Sequence, residues 1–127
     1  MSESYVFLTL PLLMVVALPA IMVSVSRGAA AGRIPRNGSM GIRTRVTQSS
    51  NDAWSAGHTA ALPVVRRTWW IALVAVPASI VGQALLDGDA GAWVALTALL
   101  VETAVLLFAT KAANAAARTA HPTHDRQ

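Results

Sequence analysis

The sequence contains no cysteine, and only 13% of its 127 residues are charged. Without cysteine, neither a disulfide framework nor a Cys-ligated metal is available to hold the fold. The scarcity of charge, combined with 54% hydrophobic residues, is far from the composition of a soluble globular protein. The composition therefore predicts an integral membrane protein, in which the bilayer and helix packing stabilise the fold.

Acidic residues are also scarce, at six Asp and Glu against ten Lys and Arg, which gives a net charge of +4. In a soluble chain this balance would favour nucleic acid as a partner. Seven of the ten basic residues, however, fall between two long apolar runs, where they are typical of a membrane orientation signal. These residues are Arg27, Arg33, Arg36, Arg43, Arg45, Arg66 and Arg67. Nucleic acid is therefore not expected as a partner.

Three long apolar runs predict transmembrane helices at about residues 5–25, 68–86 and 92–112. The first contains no charge and matches the roughly 20 residues needed to cross a hydrocarbon core. Tryptophans at the start of the second and third runs favour the boundary between water and lipid. We therefore expect an all-α integral membrane protein that forms a single membrane domain over residues 1–127, with a motif-bearing loop at 26–67 and a polar tail at 113–127.

The distribution of charge predicts the orientation of these spans. The segment 26–67 contains seven arginines and one acid, Asp52, whereas the second loop contains two aspartates and no base. Because basic loops stay on the cytoplasmic side, the first loop and the C-terminus should be cytoplasmic and the N-terminus outside. The predicted location is the bacterial cytoplasmic (inner) membrane.

The second half of the first loop predicts a short helix that lies at the membrane interface. Ser49 or Ser50 is suited to the N-cap, and Pro63 should end the helix. Between them, four residues share one helix face, and the first of them would anchor the helix at the interface. These residues are Trp54, His58, Ala61 and Leu62.

A string of motifs in this loop resembles the SdpI-like family. It consists of Ile34-Pro35-Arg36-Asn37, Gly41-Ile42-Arg43-Thr44, Thr47, Ser50 and Ala53-Trp54, in the family's order and spacing. Arg45 departs from the pattern, because many members have proline there. The founding member of the family is a bacterial membrane protein that gives immunity to a secreted killing peptide and acts with a small transcriptional repressor. The resemblance implies a non-enzymatic membrane protein with a role in toxin immunity or signalling.

We expect the loop to bind a peptide or protein partner. The predicted partner-binding or ligand-binding residues are Arg36, Asn37, Gly41, Ile42, Arg43, Thr44, Trp54 and His58. Arg43 is the most specific candidate among them, because it lies inside the Gly-Ile-Arg-Thr motif and its guanidinium can bind a carboxylate or phosphate in a fixed direction. The alternative is that the arginines only set topology and attract anionic headgroups, at about 1 kcal/mol each. Trp54 could likewise be an interface anchor rather than a ligand contact.

Glu102 lies near the middle of the third span, where a charge costs about 2.5–3.5 kcal/mol on insertion scales. Alanines four and seven residues before it and seven after it place it on a small-residue face suited to a helix contact. We predict an intramembrane polar contact for Glu102. Either the carboxyl group is protonated and hydrogen-bonded, for example to Gln83 or Thr97, or it pairs with a base on a partner chain.

Signals of catalysis are weak, and we predict neither an enzyme nor a cofactor. His121 and His124 form an H-x-x-H pair in the tail, but two imidazoles alone rarely make a metal site. The sequence also contains no phosphate-binding glycine motif, zinc-protease motif or nucleophile elbow. The expected partners are anionic headgroups of the bilayer and a toxin peptide, a repressor or a larger membrane complex. In the alternative reading, the chain is an accessory subunit that packs through Ala78, Gly82 and Glu102.

Overall fold

The structure, a computed structural model, describes residues 3–120. This part of the chain contains four α-helices and no strand. The helices are α1 (Glu3–Ala30), α2 (Asn51–Val65), α3 (Thr68–Leu85) and α4 (Ala90–Thr119). The candidate metal pair His121 and His124 lies outside the described residues.

Within residues 3–120, three helical stretches are long and apolar enough to cross a membrane. They are Glu3–Ala30, Asn51–Leu85 and Ala90–Thr119. The second stretch combines α2 and α3, which are separated by a turn at Arg66 and Arg67. The prediction of an all-helical membrane protein with three spanning helices is therefore confirmed.

The helices do not begin and end where the sequence suggested. α1 continues past Arg27 to Ala30, and α4 continues past Lys111 to Thr119. Charge marks the end of an apolar span, but backbone hydrogen bonding continues beyond it. The prediction that Pro63 ends the loop helix is wrong, because Pro63 lies inside α2. A proline removes one backbone donor, and the residues after it can remain helical.

Contacts among the described residues divide the chain into two compact units. The first, here called the span unit, takes its residues from Met1–Ile21 and Arg66–Val105. The second, here called the loop unit, takes its residues from Met22–Val65 and Leu106–Gln127.

The span unit packs parts of α1, α3 and α4 through mostly small side chains. Its buried core consists of Leu8, Val15, Ala72, Ala75, Ala95 and Ala98. α3 and α4 approach each other closely at Gly91, where an added Cβ would lie 2.4 Å from the Ser79 carbonyl oxygen and 2.7 Å from Gln83 Cβ. Small residues allow helices in a membrane to approach in this way. Gly82, which the sequence singled out, has more room, since its added Cβ would be 3.9 Å from Gly91 Cα.

Gln83 fixes the turn between α3 and α4. Its Nε2 donates to the carbonyl of Gly88 at 2.8 Å, and its Oε1 accepts from the backbone N–H of Gly91 at 3.1 Å. Gly88 has a φ of +76°, which a side chain would disfavour. The side-chain amide thereby satisfies a donor at the first turn of α4 that has no partner within the helix.

The loop unit packs the end of α1, α2 and the end of α4 around the segment between α1 and α2. Its buried core consists of Val23, Ile42, Ala61, Val65, Ala109 and Ala113. α2 lies close to α4 at Gly57, where an added Cβ would be 3.1 Å from the Ala113 carbonyl oxygen and 3.0 Å from Thr47 Cγ2. α2 is therefore packed against protein on the face that carries the predicted site residues.

Candidate functional site

The segment between α1 and α2, residues 31–50, is here called the motif loop. It begins with a helix C-terminus in which the backbone N–H groups of Arg33 and Ile34 both donate to the carbonyl of Gly28, at 2.9 and 3.1 Å. Gly32, at φ +79°, turns the chain out of the helix. The Ile34 side chain then folds back over Gly28, where an added Cβ would be 2.7 Å from Ile34 Cδ1. The start of the motif loop is therefore closely packed on α1.

Asn37 organises the next turn through its side-chain amide. Its Oδ1 accepts from the backbone N–H groups of Ser39 at 2.8 Å and Met40 at 2.7 Å, and its Nδ2 donates to the carbonyl of Pro35 at 2.9 Å. An asparagine that bonds to backbone groups two and three residues ahead mimics a backbone turn. Asn37 thus shapes the loop that precedes the Gly-Ile-Arg-Thr motif.

Arg36 ties the two ends of the motif loop together. Its Nε donates to Asn51 Oδ1 at 2.9 Å, and a terminal nitrogen donates to the carbonyl of Gln48 at 2.7 Å. Gln48 in turn donates from Nε2 to the carbonyl of Asn37 at 2.9 Å. Although Arg36 is exposed, its side chain is engaged in bracing the loop against the start of α2.

Gly41 lies directly against two aromatic side chains of α2. It has a φ of +97°, and an added Cβ would be 2.8 Å from both His58 Nε2 and Trp54 Cη2. The Trp54 and His58 rings themselves pack at a centroid distance of 4.2 Å. Trp54 Nε1 donates to the carbonyl of Ile34 at 2.9 Å, and its side chain is only 2% exposed. Trp54 therefore lies inside the loop unit.

His58 connects α2 to the motif through both ring nitrogens. Its Nε2 accepts from the backbone N–H of Ile42 at 2.9 Å, and its Nδ1 lies 2.8 Å from the carbonyl oxygen of Trp54. These partners assign the proton to Nδ1, since a carbonyl only accepts and an amide N–H only donates. Burial lowers the pKa of His58 from its ordinary value of 6.5, against the opposing effect of the hydrogen bond to Trp54. The neutral imidazole is the form that holds the loop.

Thr44 and Thr47 close the motif and attach it to α4. Thr47 Oγ1 donates to the carbonyl of Ile42 at 2.6 Å and accepts from the backbone N–H of Thr44 at 3.0 Å. Thr44 Oγ1 accepts from the backbone N–H of Thr47 at 3.1 Å and donates to Asn114 Oδ1 at 2.5 Å. A contact between residues 70 positions apart thus fixes the motif on the C-terminal part of α4.

Arg43 is the motif residue that points outward. It is exposed, and one terminal nitrogen donates to the carbonyl of Gly38. Among the described residues it makes no other hydrogen bond and no ion pair. Since a guanidinium has several further N–H donors, most of its bonding capacity remains available on a side chain whose direction is fixed.

The structure thus brings the predicted site residues together but gives them different positions. Ile42, Trp54 and His58 are buried and, with Gly41, form a hub. Arg36, Asn37 and Thr44 brace the loop around this hub, and Arg43 is displayed from it. Direct contact of these residues with a partner stays a prediction.

Sequence reasoning missed several residues that build the loop. The Gln48 side chain forms a hydrogen bond across the loop, and Asn114, which is distant in the sequence, accepts a hydrogen bond from Thr44. Asn114 did carry a signal, because it is the only polar side chain in the run Ala112 to Ala117. The N-cap of α2 is Ser50, whose Oγ accepts from the backbone N–H of Ala53 at 3.0 Å.

Glu102, the predicted intramembrane polar residue, lies in the span unit and is 0% exposed. Neither carboxyl oxygen has a hydrogen-bond partner among the described residues. The suggested contacts with Gln83 and Thr97 are not formed, because Gln83 bonds to the α3–α4 turn and Thr97 donates to the carbonyl of Trp93 at 2.8 Å.

The central region of the chain matches a known protein family. A family model for the SdpI/YfhL protein family matches residues 33–110, more than half of the chain. No curated protein and no solved structure matches. The matched region contains nearly all of the motif loop, together with α2, α3 and the greater part of α4.

Proposed function

This chain belongs to the SdpI/YfhL protein family, and we propose that it is a non-enzymatic membrane protein that binds a peptide or protein partner at the membrane. Toxin immunity or signalling is the role that the resemblance implies. The proposed location is the bacterial cytoplasmic membrane, with the motif loop and the C-terminus on the cytoplasmic side. The seven arginines of segment 26–67 support this orientation.

The observation that carries the proposal is that Arg43 is displayed from a loop whose other motif residues hold its shape. Gly41 and His58 hold the motif from one side, and Thr44 ties it to Asn114 on α4. A loop that is already ordered loses little conformational entropy on binding. A guanidinium fixed in this way suits recognition of a carboxylate or phosphate in one direction.

The charge of the loop unit supports an acidic partner. Its described residues contain seven basic side chains and one acid, Asp52. The basic residues are Arg27, Arg33, Arg36, Arg43, Arg45, Lys111 and Arg118. The same charge attracts anionic headgroups, which would hold the loop close to the bilayer where a partner is met.

Trp54 and His58 are buried, so their contribution to binding is to hold the shape of the motif loop. Both side chains are inaccessible to a partner in this conformation. Their substitution would therefore impair binding by releasing the motif loop, whereas substitution of Arg43 would remove a contact and leave the loop folded. These two effects separate in experiments that measure folding alongside binding.

A protection assay tests the proposed role. A susceptible bacterium that expresses the chain would be exposed to the secreted peptide of a neighbouring strain, and its survival compared with Arg43→Ala and Arg45→Ala variants. Each variant removes one exposed positive charge, and Arg45 makes no hydrogen bond with the described residues. We expect survival to be lost with Arg43→Ala and kept with Arg45→Ala. Equal survival of both variants would contradict the specific role of Arg43.

The alternative proposal is a small accessory subunit of a larger membrane complex. Of the three residues suggested for its packing face, Ala78 is exposed, Gly82 is half-buried near Gly91, and Glu102 is 0% exposed. Such a subunit would have to use a lipid-facing surface around Ala78. Purification in mild detergent distinguishes the alternatives, because an accessory subunit would bring stoichiometric larger partners with it even as the Arg43→Ala variant.

A further inference from the structure

The carboxyl group of Glu102 has no partner in the structure. It is among the largest fully buried side chains, and neither oxygen accepts a hydrogen bond from a described residue. Buried polar groups in proteins are nearly always bonded, so an unbonded one calls for a specific explanation. The partner-binding role proposed for the motif loop makes no use of this residue.

No positive charge pairs with Glu102 among the described residues. α3 contains no charged residue, and Glu102 is the only one in α4 before Lys111. The other charged or titratable groups on these three helices and the turns that flank α3 are all exposed: Glu3, Tyr5, Arg27, Arg66, Arg67, Asp87, Asp89, Lys111 and Arg118. Lys111 lies over the Phe108 ring, 5.4 Å from its centroid. An ionised Glu102 would thus be a buried charge without a counter-charge, which is strongly unfavourable at this depth.

The uncharged form has no such cost, and the span unit also contains a backbone carbonyl that lacks its usual helical donor. Pro19 has no N–H to donate to the carbonyl of Val15 four residues earlier, and both residues are fully buried. Val15 packs in the same core as Ala98, which lies one helical turn before Glu102 on the same face of α4. A carboxylic O–H can donate to such a carbonyl, whereas a carboxylate cannot.

We propose that Glu102 is an intramembrane proton-binding site. Its carboxyl group carries an exchangeable proton and is uncharged inside the span unit. A metal cation fits less well, since the described residues hold no cluster of three or more His, Cys, Asp or Glu side chains and a lone carboxylate supplies too few ligands. Proton binding makes Glu102 neutral, which lowers the cost of placing it at this depth.

Infrared spectroscopy of the full chain in lipid vesicles tests this proposal. We expect the wild type at neutral pH to show the carbonyl band of a protonated carboxylic acid, shifted in deuterated water because the proton exchanges. The band should be lost in Glu102→Gln, which keeps the size of the side chain, and retained in Glu3→Gln, whose target is exposed. Identical spectra in the carboxylic acid carbonyl region for the wild type and Glu102→Gln would show an ionised Glu102 and overturn the proposal.

A second measurement needs no variant. Apolar carbodiimides react with protonated carboxyl groups in the lipid phase, so the wild type should be modified at Glu102, as located by peptide mass spectrometry. The extent of modification should fall as the pH is raised. Modification that does not fall as the pH is raised, or protection by Na⁺ or K⁺ at constant pH, would overturn the proposal, the latter in favour of a bound metal cation.

Discussion

The Nε2 atom of His58 accepts a hydrogen bond from the backbone N–H of Ile42 at 2.9 Å, deep inside the loop unit. This bond fixes the middle of the Gly-Ile-Arg-Thr motif on α2 and thereby sets the direction of the Arg43 side chain that follows. Because an imidazolium has no lone pair to accept with, the bond exists only while His58 is neutral. The conformation of the motif is therefore coupled to the protonation of one buried histidine.

We expect the motif loop to loosen under mildly acidic conditions. The pKa of His58 is lowered in the folded protein from its ordinary value of 6.5, so the released loop binds the proton more tightly than the docked loop. The contribution of His58 to the free energy that holds the loop docked is fully present above pH 6.5. It falls as the pH drops below 6.5, by up to about 1.4 kcal/mol per pH unit. Hydrogen exchange at the Ile42 amide measures this directly. In His58→Phe, which cannot titrate, any acid-induced loss of protection at this amide, measured against its intrinsic exchange rate at each pH, should disappear, and its persistence would refute the coupling.

Substitution of Gly41 by alanine should release the same loop. The positive φ of Gly41 costs a side chain about 1–2 kcal/mol, and the added Cβ would meet Trp54 and His58 at 2.8 Å. Gly38→Ala is a matched control, because an added Cβ at Gly38 has open space around it. Limited proteolysis of the loop in detergent should be faster for Gly41→Ala and unchanged for Gly38→Ala. Equal rates for the two variants would argue against a specifically packed Gly41.

The bond between Thr44 and Asn114 should contribute measurably to folding. Thr44→Val removes the hydroxyl and keeps the shape of the side chain, and Asn114→Ala removes its acceptor. In a double-mutant cycle on thermal unfolding, we expect a coupling of about 0.5–1.5 kcal/mol, the usual net value of one hydrogen bond. A coupling of zero would mean that this contact does not hold the motif loop on α4.

Gly91 should tolerate substitution much less well than Gly82. An added Cβ at Gly91 would overlap the carbonyl oxygen of Ser79 at 2.4 Å, whereas one at Gly82 would make ordinary contact at 3.9 Å. We expect Gly91→Ala to destabilise the protein by about 1–3 kcal/mol, as overpacking typically does, and Gly82→Ala to have little effect. Thermal aggregation in detergent compares the two variants. Similar transition temperatures would indicate that α3 and α4 are not in close contact at Gly91.

The spans could be predicted because each depends on the hydrophobicity of its own residues and on the charges that flank it. The shape of the motif loop was predictable only in part. Asn37, Gly38 and Gly41 are all of residue types that tolerate a positive φ, and of these only Gly41 adopts one. The N-cap of α2 is Ser50, and Ser49 Oγ instead donates to the carbonyl of Val46 at 2.6 Å. Neighbouring residues of similar propensity are distinguished by the final backbone path, which the local sequence does not determine.

Long-range contacts account for most of what the sequence could not predict. Helical spacing correctly placed Trp54, His58 and Ala61 on one face, and all three are buried. It could not tell whether that face meets lipid or protein. That face meets protein, because the motif loop folds back over it and α4 packs against α2 at Gly57. Such contacts join residues far apart in sequence and leave no periodic signal.

A partner contact at Arg43 is tested most directly by capture of partners from native membranes. The tagged chain is compared with its Arg43→Ala, Arg43→Lys and Arg45→Ala variants, and expression and insertion are measured in parallel. We expect Arg43→Ala to lose the captured partner, Arg43→Lys to retain little of it because lysine lacks the planar fork, and Arg45→Ala to bind like the wild type. Equal capture by all three variants, or equal loss, would contradict a specific partner contact at Arg43 and would leave the motif loop as a basic anchor for the membrane surface.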